Sequence, residues 1–401
     1  MEQIKQKRVC VFTLHPSKDV RILNRQCRSF QRNGWDVTLI ARADTVLNPD
    51  SKEGIYDDEG IKVIGIKKWA SSWGRIKTVC SITHLASKQK TDIYHFHDPD
   101  FLIPAIFLKW FTRKPVIYDI HEYFEITIPE KLPNIWPLRK ITGGIIWFFE
   151  IVFGKLIGNI SAVCEDHYKA FLKVGCNAIY TPNYASIQDF VPIEISDEEW
   201  TLRHKKVIFI GTLGPSRGSL VLLDIAKEVK AIRPEIKFLI TRRFHTKSQE
   251  DAFMSKLALP DYENVIKFIP NVNGKELPKA IRQAGIALNV DAGFSLYQET
   301  VIGIVSLPTK IFEYMSQALP IVSYDLPHSR KYIAGESCGF LVKADSPKEY
   351  ADAIIKLVDN IELAKEMGRR GQKAFIEKYN WGIIEKQLIA FYESIYAKYK
   401  K

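Results

Sequence analysis

Short apolar runs alternate with amphipathic helical stretches along almost the whole of this chain, and that alternation leaves open little besides a parallel β/α architecture. Residues 9–14 read as a strand. The polar turn His15-Pro-Ser-Lys-Asp19 follows, then Val20, Ile22, Leu23, Cys27 and Phe30 recur at helical spacing as far as Asn33-Gly34, and 37–41 make the next strand. In such a β-α-β unit the connection leaving the strand's C-terminal end lies on the sheet edge where ligands bind. Residues 61–66, 93–96 and 115–122 continue the series, and 160–163 with 180–183 close it. A second series runs through 206–211, 237–241, 265–268, 285–289, 320–324 and 339–342. A length of 401 residues suits two cores rather than one. Residues 187–203, with Asp197-Glu-Glu199, break the periodicity. The expected division is a first domain over 1–186, a linker over 187–204, a second domain over 205–380 and a terminal helix over 381–401.

Polar chemistry concentrates at the ends of these runs. In Ser306-Leu-Pro-Thr-Lys-Ile-Phe-Glu-Tyr-Met-Ser-Gln-Ala-Leu-Pro-Ile-Val-Ser323, Ser306 or Thr309 can cap a helix, Pro308 suits its first turn, and Ile311, Phe312 and Met315 give it an apolar face. Its N-terminus, with Lys310 one turn in, suits an anionic group such as a diphosphate, and Glu313 can accept hydrogen bonds from vicinal sugar hydroxyls. His95-Phe-His-Asp-Pro-Asp100 brings two histidines and two aspartates together. Such a string can ligate a metal, but alternating residues at a strand end more commonly anchor a loop, and no metal is expected. The strand over 115–122 delivers His121 and Glu122 to the same edge, and Gly211-Thr-Leu-Gly-Pro-Ser-Arg-Gly218 forms a glycine-rich turn before a helix over 220–232. Taken singly, a turn of this kind is weak evidence of phosphate binding.

Taken together these strings resemble the glycosyltransferases of family 4, a retaining group in which two facing Rossmann-like domains form the GT-B fold. The likeness is strongest over 205–345 and continues, weaker, over 8–183. It implies an α/β fold of two facing Rossmann-like domains with a C-terminal helix returning to the first. Two glutamates seven residues apart are typical of the family; Glu313 falls at the second and Val305 stands at the first. The resemblance implies that Glu313 holds the nucleotide ribose and that Ser306, Leu307, Pro308, Thr309 and Lys310 meet the diphosphate with Gly211 and Arg217. Thr212 stands where the family carries an arginine, and Arg242 or Arg243 is expected to supply that charge. His121 matches the histidine that contacts the donor sugar, so His121, Glu313 and Lys310 are the expected catalytic residues. His15, Arg21, Asp98, Glu122 and Arg242 are the expected substrate contacts, with Lys18 and Arg21 directed at an acceptor phosphate. Residues 291–303 read as a mobile loop over the sugar.

The reaction so implied moves a sugar, with retention, from a nucleotide diphosphate sugar to a hydroxyl of a glycan or lipid-linked acceptor in surface polysaccharide synthesis. UDP and GDP donors both stay open, and no separate cofactor is expected. A non-catalytic GT-B partner subunit and a sugar-nucleotide epimerase of the same architecture are the alternatives.

Composition narrows the setting. A 46% hydrophobic and 26% charged chain is that of a soluble globular protein, and six cysteines without paired or metal-ligand spacing suit reduced, cytoplasmic thiols. The net charge is +11, and residues 1–180 hold 26 basic against 19 acidic residues, so the excess leans to the first half. Nucleic acid is disfavoured as a partner, because no zinc-finger spacing or RNA-binding signature is present. Residues 141–163 are the most apolar stretch, interrupted by Glu150 and Lys155. They fall short of a bilayer span and fit either a helix buried under the first sheet or one lying on an anionic membrane face.

Overall fold

The computed structural model describes residues 6–43, 51–129, 135–214, 218–272, 274–290, 308–344 and 346–400. The chain forms two compact units, Met1–Asn183 with Ile383–Lys401, and Tyr184–Gly382.

The first unit is built on eight strands: β1 (Arg8–Pro16), β2 (Asp36–Arg42), β3 (Gly54–Asp58), β4 (Ile61–Ile66), β5 (Ile93–His97), β6 (Val116–Ile120), β7 (Asn159–Ala162) and β8 (Asn177–Tyr180). They are ordered β3-β4-β2-β1-β5-β6-β7-β8, parallel except for the edge strand β3. Both faces of the central strands are covered, so β5 and β6 are buried along their whole length, and His95, His97 and Asp119 are buried with them. The order reverses between β1 and β5, so the loops after these two strands diverge and leave a crevice at their C-terminal ends.

Helix α1 is π-wound over Val20–Cys27 and α-helical over Arg28–Arg32. Asp19 caps it, accepting hydrogen bonds from the amides of Arg21 (2.9 Å) and Ile22 (3.0 Å). Helices α2 (Ser72–Ser87), α3 (Leu102–Thr112) and α4 (Trp136–Ile157) follow. Helix α4 begins with Pro137 in its first turn and stops at Gly158, whose left-handed φ of +85° lets its amide donate to the Gly154 carbonyl at 2.8 Å. Its inner face carries Trp147, Ile151 and Phe153 against the core, and Gly154 faces Phe171 so closely that a Cβ would stand 2.4 Å from the ring. The expectation of a buried helix holds for this side alone, because Ile141, Ile145, Phe148, Val152 and Leu156 point outward.

In the second unit six parallel strands, β9 (Lys206–Phe209), β10 (Lys237–Thr241), β11 (Ile266–Ile269), β12 (Ile286–Asn289), β13 (Ile321–Tyr324) and β14 (Gly339–Val342), are ordered β11-β10-β9-β12-β13-β14. Its switch point lies between β9 and β12. The stretch read as a linker is folded: Ser196 accepts from the Glu199 amide at 3.2 Å and starts helix α5 (Asp197–Arg203), which seats Trp200 in the core of this unit. Helices α6 (Ser219–Ile232), α7 (Lys310–Ser316), α8 (Pro347–Asp359) and α9 (Ile361–Glu377) belong to the same unit.

The last helix, α10 (Trp381–Lys400), returns to the first unit. Glu385 accepts from Ser29 (3.0 Å), Asn33 (3.0 Å) and Arg32, Lys7 reaches Glu393 at 2.5 Å, and Lys400 reaches Asp92 at 2.9 Å. Tyr392 packs its ring on Phe30 and hydrogen-bonds His95 in the sheet.

Glu150, 1% exposed on the inner face of α4, accepts a 2.7 Å hydrogen bond from Tyr118 on β6. Burial pushes its pKa up from 4.5 to about 7, against the opposing pull of that hydrogen bond. The folded chain therefore keeps a proton there that the unfolded chain releases near its ordinary value. The stability this lends is complete below pH 4.5 and is lost as pH rises through about 7. Glu150→Gln, which retains an acceptor for Tyr118, is expected to match the parent at pH 5 and exceed it by about 2–3 kcal/mol at pH 8. Equilibrium denaturation at the two pH values checks this; an equal effect at both would show that ionisation at this site plays no part.

Candidate active site

The crevice of the first unit collects the polar residues anticipated at strand ends. Asp98, one residue past β5, sits at φ +69°, a left-handed geometry that a non-glycine residue adopts only where its surroundings hold it there. Here they do: its Oδ2 accepts from Thr13 Oγ1 (2.9 Å) and the Leu14 amide (2.8 Å), and its Oδ1 lies 3.2 Å from His15 Nε2. His121, just past β6, sets its Nε2 at 2.9 Å from the same His15 nitrogen, with the two rings edge to face. Burial opposes charge on His15, but the hydrogen bond and charge of Asp98 outweigh it and raise the pKa of the imidazole. For Asp98 the burial penalty is likewise overcome, by His15, and its carboxyl is held well below the usual range. His121 is pushed down to about 4, by burial first and then by His97 and His15. Asp98 thus favours the protonated form of His15, whose Nε2 faces both that carboxylate and the Nε2 of His121, while burial favours the neutral form of His121. Glu122 is exposed beside this group.

Behind it lies a second layer that sequence reasoning missed. Asp119, fully buried on β6, takes both oxygens to the Arg21 guanidinium (2.9–3.2 Å) and accepts from Gln26 Nε2 and Ser161 Oγ at 2.7 Å each. The other face of Arg21 donates to the Thr181 carbonyl at 3.1 Å and Asn183 Oδ1 at 3.3 Å. Arg21 was expected to meet an acceptor phosphate. That expectation is corrected, since its fork is wholly engaged and 6% exposed. Lys18 is likewise paired, with Asp58. A carboxylate inside an otherwise apolar strand was the available signal for Asp119, because a buried charge demands a partner. His95 and His97, joined Nε2 to Nε2 at 3.0 Å, fill the space between Asp119 and Tyr392.

Two triads, His15–Asp98–His121 and His95–His97–Asp119, bring their ligand atoms close enough to hold a metal ion. The chemistry of the second speaks against one, because its carboxylate is already neutralised by Arg21. In the first, Asp98 is already paired with His15 and with the Thr13 hydroxyl and the Leu14 amide.

In the second unit the sheet edge is organised by two neutral clamps. Thr241 Oγ1 accepts from the Gly211 amide (3.1 Å) and donates to the Gly211 carbonyl (3.0 Å), while Tyr314 Oη accepts from the Ile210 amide (3.0 Å) and reaches the Leu288 carbonyl (3.3 Å). The second clamp fixes α7 against the ends of β9 and β12. Gly211 has φ +131°, open to glycine alone in practice, and the atom nearest to a Cβ built there is Lys310 Nζ at 3.9 Å. The same ammonium lies 4.3 Å from the centroid of the Phe209 ring. Lys310 is therefore brought to the C-terminal edge of β9, beside the turn that the sequence marked for phosphate. Arg242, at the end of β10, pairs with Glu250 at 2.7 Å and lies over Phe268.

One local expectation changes. Thr309 has helical dihedrals (φ −54°, ψ −34°) and makes no side-chain cap, and the amides of Ile311, Phe312 and Glu313 already donate to the Pro308 and Thr309 carbonyls. Three of the first amides of this helix are therefore engaged within it, and the Lys310 side chain brings an ammonium to the same mouth. Pro308, Thr309 and Glu313 are half-buried there. Ser306, Leu307, Arg217, Val305 and the loop over 291–303 lie outside the described residues.

Residues 204–360 match the family model described as glycosyl transferases group 1. The phosphatidyl-myo-inositol mannosyltransferase of Mycolicibacterium smegmatis is 23% identical over 305 residues, spanning 76% of this chain and 71% of that protein. Among solved structures, the sucrose-phosphate synthase of Thermosynechococcus elongatus superposes with a TM-score of 0.71 at 14% identity, covering 98% of this chain and all of that one. HepE of Anabaena, solved with UDP-glucose, gives 0.70 at 14% identity over 96% of this chain and 99% of its own. The chain is a glycosyltransferase with the GT-B fold, and residues 204–360, within its second unit, are the part similar to glycosyl transferases group 1.

Proposed function

We propose that this enzyme transfers a hexosyl group from a nucleoside diphosphate sugar to a hydroxyl of a glycan or lipid-linked acceptor, with retention at the anomeric carbon, in the building of a surface polysaccharide or related glycan. The observation that carries the reading is Lys310, whose ammonium stands beside Gly211 at the switch point of the second sheet. Breaking the glycosyl phosphate bond leaves negative charge on the diphosphate, and a cation fixed in advance where that charge develops is worth more than one that must be recruited. Glu313, one turn along α7, accepts hydrogen bonds from the ribose hydroxyls, and Arg217 and Arg242 add charge on the diphosphate side. UDP is the first base to try, since HepE and the trehalose-phosphate synthase of Burkholderia xenovorans are described with or by UDP.

In the first unit His121 binds the sugar hydroxyls, oriented by the His15–Asp98 pair, with Glu122 nearby on the acceptor side. A neutral imidazole is the form required, because an imidazolium would repel the positive charge that grows on the departing sugar. No metal takes part: Lys310 and Arg217 supply the charge a divalent cation would otherwise bring to the diphosphate. The acceptor side works at an anionic membrane face within the cytoplasm.

Four outcomes check this reading. Lys310→Ala is expected to lower kcat/KM by about 10²–10³-fold, while Glu313→Ala weakens donor binding about tenfold, the loss of one hydrogen-bonded charge contact; undiminished donor affinity in a titration of Glu313→Ala would remove it from the ribose. Turnover of a panel of UDP- and GDP-sugars should persist in excess EDTA, and abolition by chelation would overturn the metal-free reading. Proton NMR of the product should show the anomeric configuration of the donor, and inversion would exclude a retaining mechanism.

A further inference from the structure

Helices α3 and α4 pack side by side on the first sheet and run the same way, from the edge that bears His121 towards the opposite edge. Each is apolar on the side that faces water as well as on the side that faces the core. On α4 the outward residues Ile141, Ile145, Phe148, Val152 and Leu156 repeat every three to four positions, one continuous stripe over the length of the helix. On α3 the outward residues are Ile103, Phe107, Trp110 and Phe111, with Trp110 62% and Phe111 85% exposed. The Phe107 ring holds both neighbours, at 5.9 Å from Trp110 and 6.4 Å from Phe111. Apolar surface on this scale, on two adjoining helices, marks an interaction site rather than ordinary surface scatter.

The charges around the stripe indicate what covers it. The two helices hold one acidic residue, Glu150, and it is buried against Tyr118. Their cations are Lys109, Arg139, Lys140 and Lys155, and Arg113 and Lys114 follow α3 directly. Lys109 closes the end of α4 by donating to the carbonyls of Leu156 and Ile157, both at 2.9 Å. Arg113, Lys114 and Lys398 line a cavity of about 510 Å³ with Asn159 and Asn177, and Trp110 belongs to both this cavity and the apolar stripe. A second copy of the chain docking through the same face would set these cations against one another. An apolar stripe with aromatic residues, flanked by basic residues, matches instead the boundary between acyl chains and anionic headgroups. Among the described residues no helix is long and apolar enough to cross a membrane, so the face lies on the bilayer rather than through it.

We propose that the α3–α4 face is a membrane-docking surface: Phe107, Trp110, Phe111 and the α4 stripe enter the headgroup boundary of an anionic bilayer, and Arg113, Lys114 and Lys398 take lipid phosphates into the adjoining cavity. This deepens the membrane-side reading of the acceptor given above and rests on it for its purpose. Since both helices start at the His121 edge, docking along their length holds that edge beside the lipid surface, where a lipid-linked acceptor is presented.

Sedimentation of the full-length enzyme with vesicles of phosphatidylglycerol and phosphatidylcholine, against phosphatidylcholine alone, tests it. The enzyme should sediment with the anionic vesicles at low salt and be released as salt rises. Arg113→Glu and Lys114→Glu should each weaken binding at least about fivefold, the equivalent of about 1 kcal/mol per basic residue at such a surface, and Phe111→Ser with Phe148→Ser should abolish it. These variants leave melting temperature and turnover of a soluble acceptor unchanged, because none touches the donor or sugar residues. Failure of the parent to bind anionic vesicles, or variants that bind as well as the parent, would overturn the surface. So would a dimer in solution that Phe111→Ser and Phe148→Ser dissociate, for the face would then be covered by a second copy. Vesicle binding without any sugar turnover would instead refute the transferase reading and leave the surface standing.

Discussion

Asp119 is the charge on which the first unit is assembled. An ionised carboxylate with no exposure is tolerable only if its partners are near and well aimed. Here the Arg21 fork, Gln26 and Ser161 converge on it from α1 and β7, and burial is outweighed, so that its pKa stays well below the ordinary value. Arg21 passes the linkage on to Thr181 and Asn183, beyond β8. One ion pair thereby ties the start of α1 to the C-terminal ends of three strands, β6, β7 and β8. With the start of α1 held, the loop leaving β1 has little freedom, and His15 is delivered to Asp98 and His121. Removing either partner would leave the other charged in the interior, which is why such pairs are far more costly to break than to omit.

The second unit solves the same positioning problem without a buried ion pair. Tyr314 and Thr241 each satisfy two backbone groups at strand ends, and Tyr314 stands on the helix that carries Lys310 and Glu313. The clamps themselves are neutral, and the Lys310 ammonium, held over Phe209, is brought to the same edge. The contrast suits a division of labour. On the proposed reading, the anionic diphosphate calls for a cation close to it and a sugar with rising positive charge calls for groups that remain neutral, a need that His121, with its pKa pushed down to about 4, would meet.

Most strands were legible in the sequence because parallel strands covered on both faces can carry few polar residues, and runs such as residues 9–14 or 206–209 state that directly. The chemistry at their ends was legible only as position. His15, Asp98 and His121 were placed at one edge, and they meet there. The assignment of Arg21 to an acceptor failed for a physical reason: its partner lies 98 residues away, and nothing local distinguishes an exposed arginine from one closing a tertiary ion pair. The linker failed differently. Its acidic Asp197-Glu-Glu199 run looks like solvated loop, yet Ser196 with Glu199 three residues on is the pattern of a helix start, and Trp200 behind it needed a core to enter. Thr309 looked like a cap from its letters, but capping is a matter of dihedrals, and its own are already helical.

Helix α4 shows how one polar residue can set what an apolar sequence leaves undecided. With hydrophobic residues around nearly its whole circumference, burial alone would accept several rotations of the helix about its axis. Glu150 removes that freedom, since its carboxyl must reach the Tyr118 hydroxyl inside the sheet. A hydrogen bond to a largely protonated carboxyl avoids the cost of burying a charge and still penalises every rotation that would leave the group unpaired. Once Glu150 faces inward, the helical repeat turns Trp147, Ile151 and Gly154 to the core and Ile141, Ile145, Phe148 and Val152 to the outside. The exposed stripe is therefore a consequence of the interior contact, and a helix that had no use for an outer apolar face could have carried polar residues at those positions without disturbing the bond that orients it.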